Sequence, residues 1–180
     1  MKPGDVLTLR VEKPAAGGRM IARHEGLVVL VSGAIPDETV RARVERAERS
    51  LAFATVAEVL DAHPARRPVC FDPRCGGAVY AHVAYDHQLV LKRQVVEDAL
   101  QRLGRVAVDG PTGIAPSPER GYRMRARLRV RGGRAGFFME GSHDLCDAMV
   151  SGQLLDAAGP AIEGVVSELR RVGVRGEADL

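Results

Sequence analysis

The sequence predicts an α+β protein in which a small closed β-barrel of the OB type precedes a mixed region with an arginine-rich antiparallel hairpin. Four short apolar segments separated by turn signals fill the first 60 residues. A strictly alternating stretch at 122–131 is followed by a Gly-Gly pair, and two amphipathic segments flank this stretch. Strands grouped in blocks, with helices between and after them, indicate the α+β class.

The four barrel segments have similar lengths and short connections. Turn signals lie at Gly17-Gly18, at His24-Glu25-Gly26 and over 33–37, and the apolar segments between them are 6–11, 27–31, 40–44 and 52–60. Strands at this even spacing predict a closed all-β module. The arginines of this region alternate with Glu45 and Glu48, so a generic small barrel without an RNA-binding role stays open on these grounds.

A proline- and glycine-rich connection over 61–84 leads to a predicted helix. Asp86 is the candidate N-cap, and Gly104 ends the helix. Its predicted apolar face consists of Leu89, Val96, Leu100 and Leu103. Gln88 and Lys92 lie one turn apart, and ordinary solvent exposure is the simplest interpretation of both.

The rest of the chain holds one more predicted helix besides the hairpin. Residues 105–118 are predicted as loop, with a short strand at 106–108. Residues 154–172 are predicted to be helical, with a break at Gly159-Pro160 that places Pro160 in the first turn of the second piece. The apolar side of this helix consists of Ile162, Val165, Val166, Leu169 and Val172.

The alternating stretch predicts one strand with two different faces. Its two sets are Tyr122, Met124, Ala126, Leu128 and Val130, and Arg123, Arg125, Arg127, Arg129 and Arg131. A period of two indicates a β-strand. Gly132-Gly133 supplies the positive-φ positions of a hairpin turn, and 135–139 returns as the partner strand.

Folding alone gives no reason to collect five guanidinium groups on one face, because they repel each other. A polyanion does, since arginine pairs bidentately with phosphate and stacks on bases. The alternative is a solvated face in an arginine-rich protein, which would normally mix both signs of charge. We therefore predict that Arg123, Arg125, Arg127 and Arg129 contact RNA phosphates.

Composition limits the class of protein. The formal net charge is only +3, so the basic character is local rather than global. The sequence has no apolar run of about 18 residues and no apolar segment at its start, which predicts neither a membrane span nor a secretory signal. Three cysteines fit a reducing cytoplasm better than a disulfide framework.

Several ordered motifs resemble those of the RNA uracil-5-methyltransferases. They are Gly33-Ala34-Ile35-Pro36-Asp37-Glu38-Thr39-Val40, the segment 63–70, Cys75-Gly76-Gly77, the segment 85–92 and Gly121-Tyr122-Arg123. The first resembles the motif of the family's TRAM domain, where Asp37 stands in place of the usual glycine. The likeness implies a TRAM domain at 1–60, a linker at 61–84 and part of the family's central RNA-binding domain at 85–180.

The resemblance implies a parent activity: methyl transfer from S-adenosylmethionine to C5 of a uridine, in 23S ribosomal RNA rather than transfer RNA. No strand followed by a glycine-rich turn and a helix is visible here. We therefore expect the catalytic domain to be absent and this chain to supply substrate recognition without a cofactor of its own. The alternatives are a stand-alone, non-enzymatic RNA-binding protein and a metal- or redox-sensing module.

The resemblance also adds three candidates to the RNA-contacting set. Tyr122 and His82 are candidates for stacking on or positioning RNA, although Tyr122 could equally be core because it falls on the apolar side of the alternation. Lys92 is the third candidate. Ala81-His82 replaces the family's Gln-His, and Met124 replaces a common polar residue. The expected role is therefore phosphate binding more than base-specific recognition.

The cysteines occupy the region where many family members bind a [4Fe–4S] cluster. Cys70 and Cys75 would be two ligands and Cys146 a third, but Ala78 stands where the family has another cysteine. A cluster of this kind needs four thiolates, so we interpret the site as degenerate. Zinc bound with His82 or His63, a labile Cys70–Cys75 disulfide and two reduced thiols are the alternatives.

Overall fold

The computed structural model describes residues 1–69, 72, 74–107 and 109–173. Two compact units divide the chain: Met1–Pro68 with Val79–Ala115, and Val69–Ala78 with Pro116–Leu180. We call them the first and the second unit. The limits predicted at 60 and 84 follow motif similarity, and they remain predictions. The helix at 85–102 lies in the first unit.

The first unit contains the predicted closed barrel, which has five strands. They are β1 (Val6–Pro14), β2 (Met20–His24), β3 (Leu27–Ser32), β4 (Thr39–Ala47) and β5 (Leu51–Asp61). They close in the order β1-β2-β3-β5-β4, and β3 and β5 are the parallel pair. Each of the four predicted segments lies on a strand. The sequence analysis missed β2, because its five residues show no apolar run.

Alternation of side chains builds the barrel core. On β4, Val40, Ala42 and Val44 are buried while Arg41 and Arg43 are exposed. The same alternation on β1, β2, β3 and β5 places Leu9, Val11, Met20, Ala22, Val29, Val31, Ala52 and Ala54 in one core cluster. Burial of these apolar surfaces is the main source of the unit's stability.

The predicted helix is confirmed as α1 (Tyr85–Arg102), but its predicted apolar face is wrong. The N-cap is Ala84 rather than Asp86. Val96, Leu100 and Leu103 are 44%, 36% and 77% exposed, whereas Leu91 is 1% exposed and joins the barrel cluster. The face that contains Leu91 packs on the barrel core, and the ion pair between Lys13 on β1 and Asp98 on α1, 2.8 Å long, lies on the same side of the helix.

The second unit is built on a three-stranded sheet and one helix. The sheet has the order β6 (Arg129–Arg131), β7 (Arg134–Phe138), β8 (Leu145–Asp147), and the helix is α2 (Ala158–Arg171). Pro160 lies in the first turn of α2, as predicted, but residues 154–157 are not helical and the helix begins at Ala158, contrary to the prediction of a start at 154. Val106 and Ala107 form no strand, contrary to the prediction, and Val108 lies outside the described residues.

The hairpin turn is confirmed, but its first strand is much shorter than predicted. Gly132 and Gly133 have φ values of 56° and 72°, as a two-residue turn of this type requires. Only 129–131 is regular strand. Earlier in the stretch, the Arg123 amide donates to the Gln153 carbonyl at 2.9 Å, and Tyr122 and Met124 are exposed. This backbone bonds to 152–154 instead of β7, so the alternation does not produce two faces there.

A buried carboxylate anchors the chain where it leaves the barrel. Glu38 is 0% exposed, and both of its oxygens accept hydrogen bonds from Arg66, each at 2.6 Å. The amides of Ile35 and His63 donate to the same carboxylate at 2.9 and 3.1 Å. Asp37 has a φ of 70°, a conformation that favours glycine and that aspartate tolerates. The carboxylate therefore joins the β3–β4 turn to the segment after β5.

We expect Glu38→Gln to destabilise the first unit by about 3–5 kcal/mol, because it leaves the Arg66 guanidinium without its counter-charge in a buried site. The matched control is Glu58→Gln, which removes the exposed pair between Arg41 and Glu58 and should cost about 0–1 kcal/mol. Urea unfolding measures both. Equal losses for the two variants would contradict the anchoring role.

The same contact makes stability depend on pH. Burial raises the pKa of Glu38, but hydrogen bonds from Arg66 and from the Ile35 and His63 amides outweigh burial and hold the pKa below the ordinary value of 4.5. A carboxyl with a depressed folded-state pKa stabilises the fold above its unfolded pKa, and this contribution is lost as pH falls through the folded pKa. The stability difference between the wild type and Glu38→Gln should therefore be constant above pH 4.5 and shrink below it. A difference that is constant down to pH 3, about 1.5 units lower, would contradict this account.

Candidate nucleic-acid interface

The four arginines predicted to contact RNA all lie in the second unit, in two kinds of environment. Arg125 and Arg127 are exposed, whereas Arg123 and Arg129 are half-buried. The guanidinium carbon of Arg123 lies 5.5 Å from the Phe137 ring centroid, and that of Arg129 lies 5.3 Å from the Phe138 centroid. Cation–π contact at this range orients a guanidinium and does not itself neutralise its charge. Each ring therefore orients an arginine without acting as its counter-charge.

Further basic side chains surround the hairpin turn, and the sequence analysis did not include them in the site. Arg134 is exposed at the start of β7. Arg131 donates to the His143 carbonyl at 3.4 Å, and Arg170, from the last turn of α2, donates to the Gly133 carbonyl. A Cβ at position 133 would collide with the Arg170 guanidinium. Glycine at position 133 thus permits both the positive φ of the turn and the close contact with the Arg170 guanidinium.

The charge of this stretch is entirely positive. From Gly121 to Met139 the sequence contains six arginines, at 123, 125, 127, 129, 131 and 134, and no aspartate or glutamate. A stretch whose only role is to remain solvated would normally mix both signs. Six guanidinium groups on one short hairpin and its approach produce a local positive field, which attracts polyanions.

Tyr122 is outside the core, so the alternative that it packs inside does not hold in this structure. Its side chain is 42% exposed, and its hydroxyl donates to Oε1 of Gln153 at 3.4 Å. Gln153 is itself buried, and its amide nitrogen donates to the Gly76 carbonyl at 2.9 Å and to Ser151 at 3.0 Å. The tyrosine is anchored at its hydroxyl end while the ring remains accessible.

His82 and Lys92 belong to the first unit and differ in exposure. His82 is 3% exposed, and its Nε2 lies 2.9 Å from the Ala34 carbonyl oxygen. Burial lowers the pKa of His82 and favours the neutral ring. An imidazole buried in this way presents no face to a base, so its role is to support the 33–38 turn. Lys92 is exposed on α1.

Gln88 is not simply solvent-exposed, as its sequence position had suggested. Its side-chain nitrogen donates to the carbonyls of Tyr80 at 3.1 Å and Val83 at 3.0 Å. The amide thereby ties α1 to the segment that precedes it. This interaction is structural, and it explains a glutamine at this position without any ligand.

Two of the three cysteines form a disulfide, which corrects the expectation of reduced thiols. Cys75 and Cys146 are bonded, with their Cα atoms 5.6 Å apart and 71 positions apart in sequence. The backbone of Cys75 forms an isolated β-bridge with that of Met139, and Cys146 on β8 lies opposite Phe137 on the neighbouring strand β7. The alternative of a Cys70–Cys75 disulfide does not hold in this structure, because Cys75 is bonded to Cys146. Cys70 lies outside the described residues.

These cysteines do not fit a four-thiolate cluster. The chain contains three cysteines, and the two in the disulfide are not thiolates available to iron or zinc. Where the structure describes the chain, no three side chains from histidine, cysteine, aspartate or glutamate are grouped to hold a metal ion.

None of the described helices is long and apolar enough to cross a membrane.

The chain matches one domain family and several RNA methyltransferases. Residues 1–57 match the TRAM domain. An uncharacterized RNA methyltransferase of Bdellovibrio bacteriovorus is 35% identical over 149 residues, which cover 81% of this chain and 38% of that protein. The 23S rRNA (uracil(1939)-C(5))-methyltransferase RlmD of Pseudomonas entomophila is 35% identical over 183 residues, which cover 96% of this chain and 40% of that protein.

A solved structure shows the same fold. The crystal structure of a Pyrococcus abyssi tRNA (uracil-54, C5)-methyltransferase in complex with S-adenosyl-L-homocysteine aligns with a TM-score of 0.63 over 92% of this chain and 37% of that one, at 21% identity. The chain is thus a TRAM-domain protein with an α+β architecture. Most of it is homologous to the N-terminal part of the RNA uracil-5-methyltransferases, and it spans about two fifths of the length of these relatives.

We expect Cys75 and Cys146 to resist alkylation without reductant, because the two sulfurs are joined in a disulfide. Cys75→Ser should lower the free energy of unfolding of the second unit by about 2–4 kcal/mol, the usual contribution of a disulfide that closes a long loop. Urea unfolding monitored without reductant measures this loss. The matched control is the same measurement with reductant, which should remove the difference between Cys75→Ser and the wild type. Labelling of all three cysteines without reductant would contradict the pairing.

Proposed function

We propose that this chain is the RNA-recognition portion of an S-adenosylmethionine-dependent RNA uracil-C5 methyltransferase, with 23S ribosomal RNA favoured over transfer RNA as the substrate. The observation that carries RNA recognition is the acid-free run of six arginines in the second unit. Homology to rRNA-modifying relatives over most of the chain supports the choice of substrate. Within this proposal, 1–60 is the TRAM domain, 61–84 a linker and 85–180 the central RNA-binding domain.

The roles that we propose for the hairpin arginines differ according to their surroundings. Arg125 and Arg127 are exposed and would pair with backbone phosphates. Arg123 and Arg129 lie against Phe137 and Phe138 and would meet RNA already oriented, which reduces the entropy lost on binding. Phosphate contacts of this kind position RNA and carry no sequence information.

The other candidates have different roles. Tyr122, held at its hydroxyl by Gln153, would offer its ring for stacking on an unpaired base. Lys92 would add a phosphate contact in the first unit. We leave His82 out of the contact set because it is buried.

We assign methyl transfer to the part of the relatives' sequences that this chain does not match. The described residues contain no parallel sheet of alternating strands and helices, the arrangement that binds such nucleotide cofactors. They therefore do not fit S-adenosylmethionine. We propose the cytoplasm as the compartment, because relatives that match most of this chain act on ribosomal RNA.

Titration of the 180-residue chain with structured ribosomal RNA at two salt concentrations tests the proposal. We expect tight binding that weakens steeply with salt, because neutralised phosphates release counterions. The double change Arg125→Ala and Arg127→Ala should lower the affinity and reduce the slope of log K against log salt by about 0.9 for each phosphate that is no longer neutralised. The quadruple variant that adds Arg123→Ala and Arg129→Ala should reduce it further.

The matched control changes Arg102 and Arg105 to alanine, which removes the same charge from the first unit. Its salt slope should stay close to that of the wild type. Unchanged affinity and slope in the quadruple variant would overturn the assignment of the hairpin arginines. Methylation of RNA by this chain with added S-adenosylmethionine would overturn the assignment of catalysis to other sequence.

A further inference from the structure

The outer surface of the barrel carries an apolar row that its fold does not require. Ile21 on β2 pairs with Leu30 on β3, Leu30 pairs with Phe53 on β5, and Phe53 pairs with Arg46 on β4. Their neighbours Ala22, Val29, Val31, Ala52 and Ala54 are buried in the core at 0% exposure, so the row faces away from it. Outward positions of a solvated antiparallel sheet are normally polar.

Phe53 stands between two guanidinium groups on this surface. The guanidinium carbon of Arg46 lies 4.2 Å from the phenyl centroid and that of Arg19 lies 5.4 Å from it. Both distances are within the range of a cation–π contact. An aromatic ring with cations beside it combines a stacking face with charge complementary to a phosphate, and single-stranded nucleic acid needs both.

The two arginines are held with different strength. Arg19 is 14% exposed in its side chain, and it donates to Glu45 and to the carbonyls of Leu30 and Ala54. These hydrogen bonds hold the Arg19 side chain in place beside the Phe53 ring. Arg46 is 63% exposed, and its ion pair with Glu48 is 3.3 Å long. An exposed ion pair and an exposed cation–π contact each contribute little stability, so Arg46 can leave the ring at little cost.

We propose that Phe53, Arg19 and Arg46 form a stacking site for an unpaired nucleobase of RNA. The base lies on the phenyl ring in the place that the Arg46 guanidinium occupies, and Arg46 turns to the phosphate beside that base. Ile21 and Leu30 extend the apolar floor under the next base. This inference rests on the proposed RNA-recognition function and adds to it a contact in the barrel, separate from the hairpin arginines.

The site binds without regard to base identity, because every base has a stacking face and a phenyl ring forms no hydrogen bond to base edges. It also requires an unpaired strand, since bases within a duplex are stacked on each other. The barrel would therefore hold single-stranded RNA rather than a duplex.

The sequence contains no tryptophan, so Phe53→Trp introduces a single fluorescent reporter at the site. Titration with a single-stranded RNA of mixed sequence should quench this fluorescence. The control is Leu60→Trp, at a 46%-exposed position on the same strand, which should respond much less. Equal quenching at both positions would overturn the site.

Affinity measurements separate stacking from charge. Phe53→Leu keeps an apolar side chain and should weaken binding of single-stranded RNA by roughly ten-fold, the order expected for the loss of one stacked base, with the salt slope unchanged. Arg46→Ala should instead reduce the slope by about 0.7, because one phosphate of the single strand is no longer neutralised. Thermal unfolding verifies that both variants remain folded.

The outcomes distinguish this site from the broader proposal. Suppose that the wild type binds RNA and the hairpin variants weaken binding as expected, but Phe53→Leu has no effect. This result would overturn the stacking site and leave RNA recognition standing. The absence of RNA binding by the wild type would overturn both. If Phe53→Leu dissolved a dimer detected by sedimentation and left RNA affinity unchanged, the surface would be a protein interface and the inference would be wrong.

Discussion

The interaction between Glu38 and Arg66 is the contact on which the architecture of the first unit depends. A fully buried carboxylate is unstable unless it is paired and fully hydrogen-bonded, and here it accepts four N–H groups from three residues: two from Arg66 and one each from Ile35 and His63. These donors come from the β3–β4 turn and from the segment that follows β5. The pair therefore fixes where the chain leaves the barrel. It also fixes the position of Arg66, whose backbone forms an isolated β-bridge with Val83 just before α1.

The barrel could be predicted from sequence because each strand buries one face only. Alternation then predicts both the strand and its orientation, as Val40, Ala42 and Val44 illustrate. The buried pair could not be predicted in this way. Glu38 and Arg66 both lie in the family-like motifs, but nothing in their spacing of 28 positions shows that they touch. Charge patterning alone would place both on the surface.

The hairpin region shows where the same reasoning fails. Gly132-Gly133 specifies its turn locally, so the turn was predictable. A strand also needs a partner, and the partner of Arg123 is Leu154 rather than a residue of β7. Alternation over 122–128 contains no information about that choice. For the same reason the Cys75–Cys146 bond, which joins positions 71 apart, depends on sheet register that the sequence does not reveal.

Arginine abundance carries no functional meaning in this chain, because arginine serves three physically different purposes. Arg66 neutralises a buried charge, Arg19 and Arg123 lie against aromatic rings, and Arg125 is exposed in a stretch without acids. A guanidinium already matched to a buried carboxylate has no capacity left for phosphate, whereas an aromatic ring does not neutralise the guanidinium beside it. The surroundings of each arginine, and not the number of arginines, therefore decide which of them can contact RNA. Arg66 is committed to the buried carboxylate of Glu38, whereas Arg46 is exposed beside Phe53 in an exposed ion pair with Glu48 and Arg125 lies in a stretch without acids.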